Sequence, residues 1–364
     1  MENYKYLSVI EWAKEYIKTQ KLRQGDRFPS ENELCGIHGV SRQTVRQALL
    51  HLESEGVISR VRGSGTFVKG GFSDEPKGPG SIGVISTYFS DYIFPYIVTG
   101  IEEVLTAAGY SMQLATTHNE VSEETQALEN MIRSGVQGLI VEPSASALPN
   151  PNTELYREIK EKNIPLVFFN AKYPWSDMPC VAMDDEAAAK TVTDYLFECG
   201  HRRISGMFTF DDIQGHKRYS GFMKSCIGHG LRSPEKNVFW YAAAGGSRVF
   251  GLAPKRILEL IESSAAVVCY NDKMAVDLLQ FCKEQGISVP GDISVAGIDD
   301  SRYASICDVP LTTARHPHSR LGEAAARTLL DMIENRSLQH HDVIFTPELI
   351  VRDSVINLNK LRTV

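Results

Sequence analysis

A chain of 364 residues exceeds one small folding unit and leaves room for two or three. Its 43% apolar and 23% charged residues are ordinary for a water-soluble protein, and it has no run of roughly 18 apolar residues that would span a bilayer. The net charge of −7 conceals a split: residues 1–70 hold 11 Lys and Arg against 8 Asp and Glu, or +3, which leaves 27 against 37, or −10, for the remainder. Only the N-terminal piece has the sign that nucleic-acid phosphates attract. No signal peptide is read, and seven scattered cysteines without a C-x-x-C pair suit reduced, buried thiols, so a cytoplasmic protein is expected.

Residues 4–20 read as a scaffold helix with Leu7, Ile10, Trp12, Ala13 and Ile17 turned inward. Ser30 and Glu33 have the spacing of a capping box, opening a helix of about two turns that Gly39 stops. Ser41 caps a second helix running to about Glu55, before Gly56. Val45, Ala48, Leu49 and Leu52 form its core stripe, while Arg42, Gln43 and Arg46 cluster outward near its start. Those three are a solvated face or the base-reading end of a recognition helix. The order of cap, turn, amphipathic helix and basic hairpin favours the second. Residues 57–62 and 66–68 make that hairpin around Gly63-Ser64-Gly65, with Arg60, Arg62 and Lys69 as its positive charges.

Three motifs, in order, carry a resemblance: Gly25-Asp26-Arg27-Phe28-Pro29-Ser30-Glu31, then residues 40–49 (VSRQTVRQAL), then Gly63-Ser64-Gly65-Thr66-Phe67-Val68. The segment resembles the winged helix-turn-helix of GntR-type transcription regulators. The resemblance implies a DNA face of Glu31, Ser41, Arg42, Gln43, Thr44, Arg46, Arg62 and Gly63. Arg42 and Gln43 are expected to read bases, Arg46 a base or phosphate, and Arg62 to lie at the wing. Glu31 either accepts from a cytosine amine or orients an arginine.

Residues 71–80, rich in Gly, Pro and charge, read as a linker that ends a DNA-binding domain of residues 1–70. From Ser81 apolar strands (81–86, 111–116, 138–142, 165–170) alternate with amphipathic helices (95–109, 122–134, 153–162). The alternation begins again after Asp184, with strands at 203–208, 238–241, 266–270 and 293–298. This predicts two doubly wound parallel-sheet halves.

Ligands of such sheets bind beyond the strands' carboxyl ends. The residues there are Thr87, Tyr88, Glu142, Asn170, Asn271, Asp272, Asp299 and Asp300, joined by Arg218 after a polar loop containing Asp211, Asp212 and Gln214. Carboxylates and amides pair with several hydroxyls at once and aromatic rings cover a pyranose face, so the set suits a neutral polyol better than a phosphorylated metabolite. Any one of these Asp or Asn residues could simply cap the next helix; six strand ends converging on one cleft argue for a site.

Residues 81–357 resemble the effector domain of LacI/GalR-type repressors, which shares the periplasmic sugar-binding-protein fold. The motifs are Gly138-Leu139-Ile140-Val141, residues 199–204 (CGHRRI), 217–222 (KRYSGF), Tyr270-Asn271-Asp272, 289–300 (VPGDISVAGIDD) and 347–354 (PELIVRDS). The resemblance places Arg218, Asn271 and Asp299 on sugar hydroxyls, and the effector set becomes Thr87, Tyr88, Tyr92, Glu142, Asn170, Gln214, Arg218, Asn271 and Asp299. It also implies chain crossings near Pro310 and Val343, so that half one spans about 81–183 and 311–342, and half two about 184–309 and 343–357.

The expected architecture is therefore α/β: a winged helix-turn-helix followed by a periplasmic-binding-protein-like domain. LacI-type proteins usually carry a hinge helix for the minor groove, which the linker here does not offer. The fusion, with residues 87–95 (TYFSDYIFP), 141–143 (VEP) and 211–215 (DDIQG), resembles the arabinose-responsive repressors of Gram-positive bacteria. It implies a homodimer on double-stranded operator DNA, with L-arabinose as effector, no cofactor, no metal and no membrane. The expected function is a repressor that releases the operator on binding the sugar; another sugar, a purine or an amino acid fits the same fold, and action as an activator is the alternative. Catalysis is not expected: Asp184-Asp185 and Asp299-Asp300 are adjacent carboxylates that point apart, and the ten histidines have no H-E-x-x-H spacing.

Overall fold

The computed structural model describes residues 5–20, 22, 25–54, 56–61, 65–69, 80–89, 92–335 and 341–361. Arg62 and Gly63, residues 71–79 of the expected linker and the side chain of Leu7 lie outside this set. The chain divides into two compact units, Met1–Gly78 and Pro79–Val364.

In the first unit, helices Lys5–Thr19, Glu31–His38 and Arg42–Ser54 enclose a core of Ile10, Ala13, Ile17, Leu34, Val45, Ala48, Leu49 and Leu52. The capping box forms: Glu33 N–H and the Ser30 hydroxyl meet at 3.4 Å, while Ser30 N–H donates to Glu33 at 2.7 Å. Gly39 ends that helix with φ +59°, a conformation that costs glycine no Cβ clash. The hairpin strands Ile58–Val61 and Gly65–Val68 gain a third, Arg27–Phe28, which pairs with Gly65–Val68. Two residues are too short for periodicity to reveal.

The second unit contains two six-stranded sheets. In the first, the order is Val343–Phe345, Cys180–Met183, Leu166–Phe169, Gly138–Val141, Ser81–Ser86, Ser111–Thr116, all parallel. The second runs Val238–Tyr241, Ile204–Thr209, Ala266–Cys269, Ser294–Asp299, Thr312–Arg315, Glu348–Ile350, with only the last strand antiparallel. Strand Cys180–Met183 went unread, because a buried run of four between loop residues has no alternation to mark it.

The expected half boundaries need correction. Thr312–Arg315, assigned to half one, hydrogen-bonds along Ser294–Asp299 in the second sheet. Val343–Phe345, assigned to half two, pairs with Cys180–Met183 in the first. The chain therefore crosses between Met183 and Asp185, again between Arg315 and His318, and a third time between Phe345 and Glu348. Short terminal strands carry no sequence mark of the sheet they join; only hydrogen-bond partners decide.

Each half is closed by one tight helix pair. Phe94–Ala107 lies against His318–Asn335 in the first, and Asp185–Glu198 against Ile213–Gly228 in the second. Glycines permit the approach: a methyl at Gly100 would overlap the Ser319 carbonyl oxygen, and one at Gly221 would overlap that of Glu186. All seven cysteines are free thiols. Among the described residues no helix is long and apolar enough to cross a membrane.

Gly100→Ala should destabilise the chain by about 1–3 kcal/mol, the usual cost of overpacking where backbone must move. Chemical denaturation checks this, with Gly228→Ala, which meets open space, as the control.

Candidate DNA-reading face and effector cleft

On helix Arg42–Ser54 the stripe Val45, Ala48, Leu49, Leu52 is fully buried, which leaves Arg42, Gln43 and Arg46 exposed at the N-terminal end. Ser41 Oγ accepts from Thr44 N–H at 3.2 Å and meets its hydroxyl at 2.9 Å, so this pair builds the helix start. Arg42 Nη2 donates to Asn32 at 2.7 Å. Arg46 Nε donates to both Glu31 oxygens at 3.2 and 3.0 Å. Of the two roles open to Glu31, the geometry shows the arginine-orienting one. Arg60 pairs with Glu53 at 2.7 Å and braces hairpin to helix.

All nine expected effector residues line one cleft between the two halves of the second unit, about 1150 Å³ counting space open to solvent. Thr87, Tyr88, Tyr92, Glu142 and Asn170 come from the first half, and Gln214, Arg218, Asn271 and Asp299 from the second. Asn271 also caps helix Asp272–Glu284, its Oδ1 accepting from Met274 N–H at 2.9 Å, so its amide NH₂ is what it has left to offer.

Arg218 is the electrostatic centre. Its Nε donates to Asp185 at 2.8 Å, Nη1 to the Tyr270 carbonyl at 2.6 Å, and Nη2 to Asp299 at 3.0 Å, while its guanidinium lies 4.7 Å from the Tyr270 ring centroid. Burial works against this cation, but the Asp299 and Asp185 carboxylates overcome it and hold the guanidinium charged. Burial also lifts Asp185 to about 6, with Arg218 opposing. Asp185 was passed over in the sequence as half of an adjacent pair; its neighbour Asp184 turns away to cap its helix through Ala187 N–H at 2.9 Å. Asp299 and Asp300 diverge likewise: Asp300 pairs with Arg315 at 2.8 Å and Arg352 at 2.5 Å.

Two sets of bonds join the halves across the cleft. Tyr92 OH donates to Asp299 Oδ2 at 2.6 Å and accepts from Asp272 N–H at 3.1 Å. Ser146 Oγ donates to Asp212 Oδ1 at 2.8 Å, and Asp212 Oδ2 accepts from Tyr270 OH at 2.5 Å. Backbone strain gathers here: Tyr92, Asn170, Asp299 and Asp300 have φ of 67°, 62°, 114° and 49°. Such conformations persist only where surrounding contacts enforce them, as at ligand clamps.

In the first half Glu142 is buried and surrounded by donors. Its Oε2 accepts from Ser86 Oγ, Thr87 N–H and Thr87 Oγ1 at 3.0, 2.8 and 2.5 Å, and its Oε1 from Asn170 Nδ2 at 2.7 Å. Burial raises its pKa, with the four donors opposing. Two buried atoms of cleft-lining residues, Asn170 Oδ1 and Thr209 Oγ1, have no protein partner. Thr209, Tyr241, Tyr270 and Asp277 line the cleft without having been singled out as binding residues; Thr209 ends its strand, a position that the strand-end reading placed one residue early.

Asp272, buried behind the cleft, is raised to about 8, first by burial and then by the Asp299 charge, against donation from Thr313 and Ser301. A carboxyl whose native pKa exceeds its unfolded value lends stability that is full below the unfolded value and is lost as pH rises through the native one. The melting temperature should therefore fall from pH 7 to pH 9, and Asp272→Asn should flatten that fall; thermal melts across the range check it.

Comparison with known proteins places this geometry. Residues 5–68 match the bacterial regulatory proteins of the gntR family, and residues 193–355 the periplasmic binding protein-like domain. The arabinose metabolism transcriptional repressor of Geobacillus stearothermophilus is 42% identical over 96% of this chain and 97% of its own length. That of Halalkalibacterium halodurans is 35% identical over 94% and 95%. Among solved structures, a LacI family regulator from Enterococcus faecium with bound ribose shares the fold at TM-score 0.66 and 23% identity, covering 76% of this chain and 99% of that one. The transcription regulator GntR from Chromobacterium violaceum has TM-score 0.65 and 25% identity over 75% of this chain and 98% of that one. These relatives are DNA-binding regulators rather than enzymes. This chain, a gntR-type DNA-binding domain followed by a periplasmic-binding-protein-like domain, belongs to the family of the arabinose metabolism transcriptional repressors.

Proposed function

We propose that this repressor holds operator DNA as a homodimer through the Arg42–Ser54 helices and releases it when L-arabinose fills the cleft. One observation carries the reading: residues from both halves, with Arg218 buried between Asp185 and Asp299, surround a polar cleft whose one buried cation is already neutralised by neighbouring carboxylates. A phosphorylated ligand gains little from a guanidinium already held by two carboxylates. A neutral sugar needs only hydrogen-bonding groups and an apolar wall, which Tyr88, Phe94 and Met274 supply. The relatives' names supply the sugar.

The coupling runs through closure. A sugar bound to both halves favours the arrangement in which Tyr92 meets Asp299 and Ser146 meets Asp212, and this arrangement is poorly matched to the operator. The ligand can shift that balance only by its differential affinity for the two forms. Two copies present two recognition helices to a pseudo-palindromic site.

Mobility of the chain's own promoter DNA, measured with and without L-arabinose, tests the whole reading: the complex forms, and the sugar dissolves it. No release by the sugar would overturn it. Arg42→Ala should weaken operator binding by about 1–3 kcal/mol while leaving sugar titrations unchanged. Asp299→Asn keeps the shape but removes the charge beside Arg218 and should lower sugar affinity about tenfold or more, which calorimetry reads.

A further inference from the structure

Glu142 lines the cleft as one of the expected sugar contacts, yet protein donors already face both of its oxygens, the Ser86 hydroxyl being shared with the Tyr88 carbonyl at 2.9 Å. Three of its donors reach Oε2: the Ser86 hydroxyl, the Thr87 hydroxyl and the Thr87 main-chain N–H. The fourth, Asn170 Nδ2, reaches Oε1. A carboxylate can only accept, so the Asn170 amide must turn its NH₂ toward Glu142. Its Oδ1 is then the opposite side of the same amide, buried and without a protein partner, on a residue that lines the cleft. The residue itself is 2% exposed and sits at φ +62°, beyond strand Leu166–Phe169, with its main-chain N–H bonded to Val181 at 3.0 Å. Neither backbone nor side chain has freedom to seek another donor.

We infer that Glu142 is a positioning residue that fixes the polarity of Asn170, and that Asn170 Oδ1 is a specificity-determining acceptor which demands a hydroxyl donor at one position of the ligand. This rests on the sugar-binding reading above and sharpens it. A ligand lacking a donor there leaves a buried acceptor unpaired, the costliest kind of mismatch a polar site can impose. Ligands are therefore sorted by whether they donate at that position, not merely by size.

The substitution Glu142→Gln makes the claim testable, because its outcome is forced. The Thr87 main-chain N–H cannot reverse, so the glutamine carbonyl must stay on that side and its NH₂ must face Asn170. The Asn170 amide then turns over and presents NH₂ to the cleft. A polarity-fixing role thus predicts an inversion, whereas a purely structural role predicts a uniform loss.

The experiment is calorimetric titration of the full chain with L-arabinose and its monodeoxyfluoro analogues, in which fluorine replaces a hydroxyl at nearly equal size and cannot donate. In the native protein one analogue should bind about tenfold or more weaker than L-arabinose. In Glu142→Gln that same analogue should lose most of its penalty relative to L-arabinose, and in Asn170→Ala likewise. Thermal melts establish that both variants fold, and Glu142→Gln, close in shape to the native residue, carries the test if Asn170→Ala does not. If the native protein fails to bind L-arabinose, the sugar reading falls. If it binds, and the analogue penalties are the same in the native protein and Glu142→Gln, the assignment to Asn170 and Glu142 is overturned.

Discussion

The effector domain depends on one buried cation. Arg218 lies 3% exposed between two carboxylates that are as fully buried, and ions removed from water in this way cost several kcal/mol unless every hydrogen-bonding position is met. Here each guanidinium nitrogen has one acceptor, from Asp185, Asp299 and a main-chain carbonyl, and the face of Tyr270 lies beside the cation. The same Asp299 then accepts from Tyr92 across the cleft. A single relay, Asp185–Arg218–Asp299–Tyr92, thus links a helix start, a second helix, a strand end and the opposite half. Altering any one member deprives a buried neighbour of a hydrogen-bond partner.

That arrangement explains why the strained residues are where they are. Asp299 and Asp300 both have positive φ, and the turn they make sends one carboxylate to Arg218 and the other to Arg315 and Arg352. Neutral amides and hydroxyls, among them Asn170, Asn271 and Thr209, line the cleft with the relay. Discrimination in such a site comes from leaving a partner unmade rather than from adding attraction.

The two units divide the electrostatic labour. The basic surplus sits with the helix and hairpin that resemble a DNA reader, and the acidic surplus with the ligand-binding unit, which has no reason to lie along a duplex. Within the reader, Glu31 and Asn32 hold Arg46 and Arg42 by their side chains. In the proposed DNA contact, side chains held in advance would lose less entropy.

Local pattern alone determined a good deal. The capping box, the Val45–Leu52 stripe, the alternation of apolar strands with amphipathic helices and the strand-end polar residues are all set by neighbours within a few positions, so the sequence reveals these elements and most of the nine cleft residues, while Tyr92 came only with the resemblance and the strand-end residues Asp272 and Asp300 lie off the cleft. What it could not reveal depends on partners far along the chain. Whether Thr312–Arg315 joins the first sheet or the second is decided by hydrogen bonds to Ser294–Asp299. Whether Asp185 is a surface acid or the support of Arg218 depends on a helix 33 positions away. Whether Glu142 touches a ligand or aims Asn170 depends on Thr87, 55 positions earlier. Periodicity records which face of an element is buried; only the folded chain decides which charges and amides meet there, because their partners are brought together by tertiary contacts that leave no local trace.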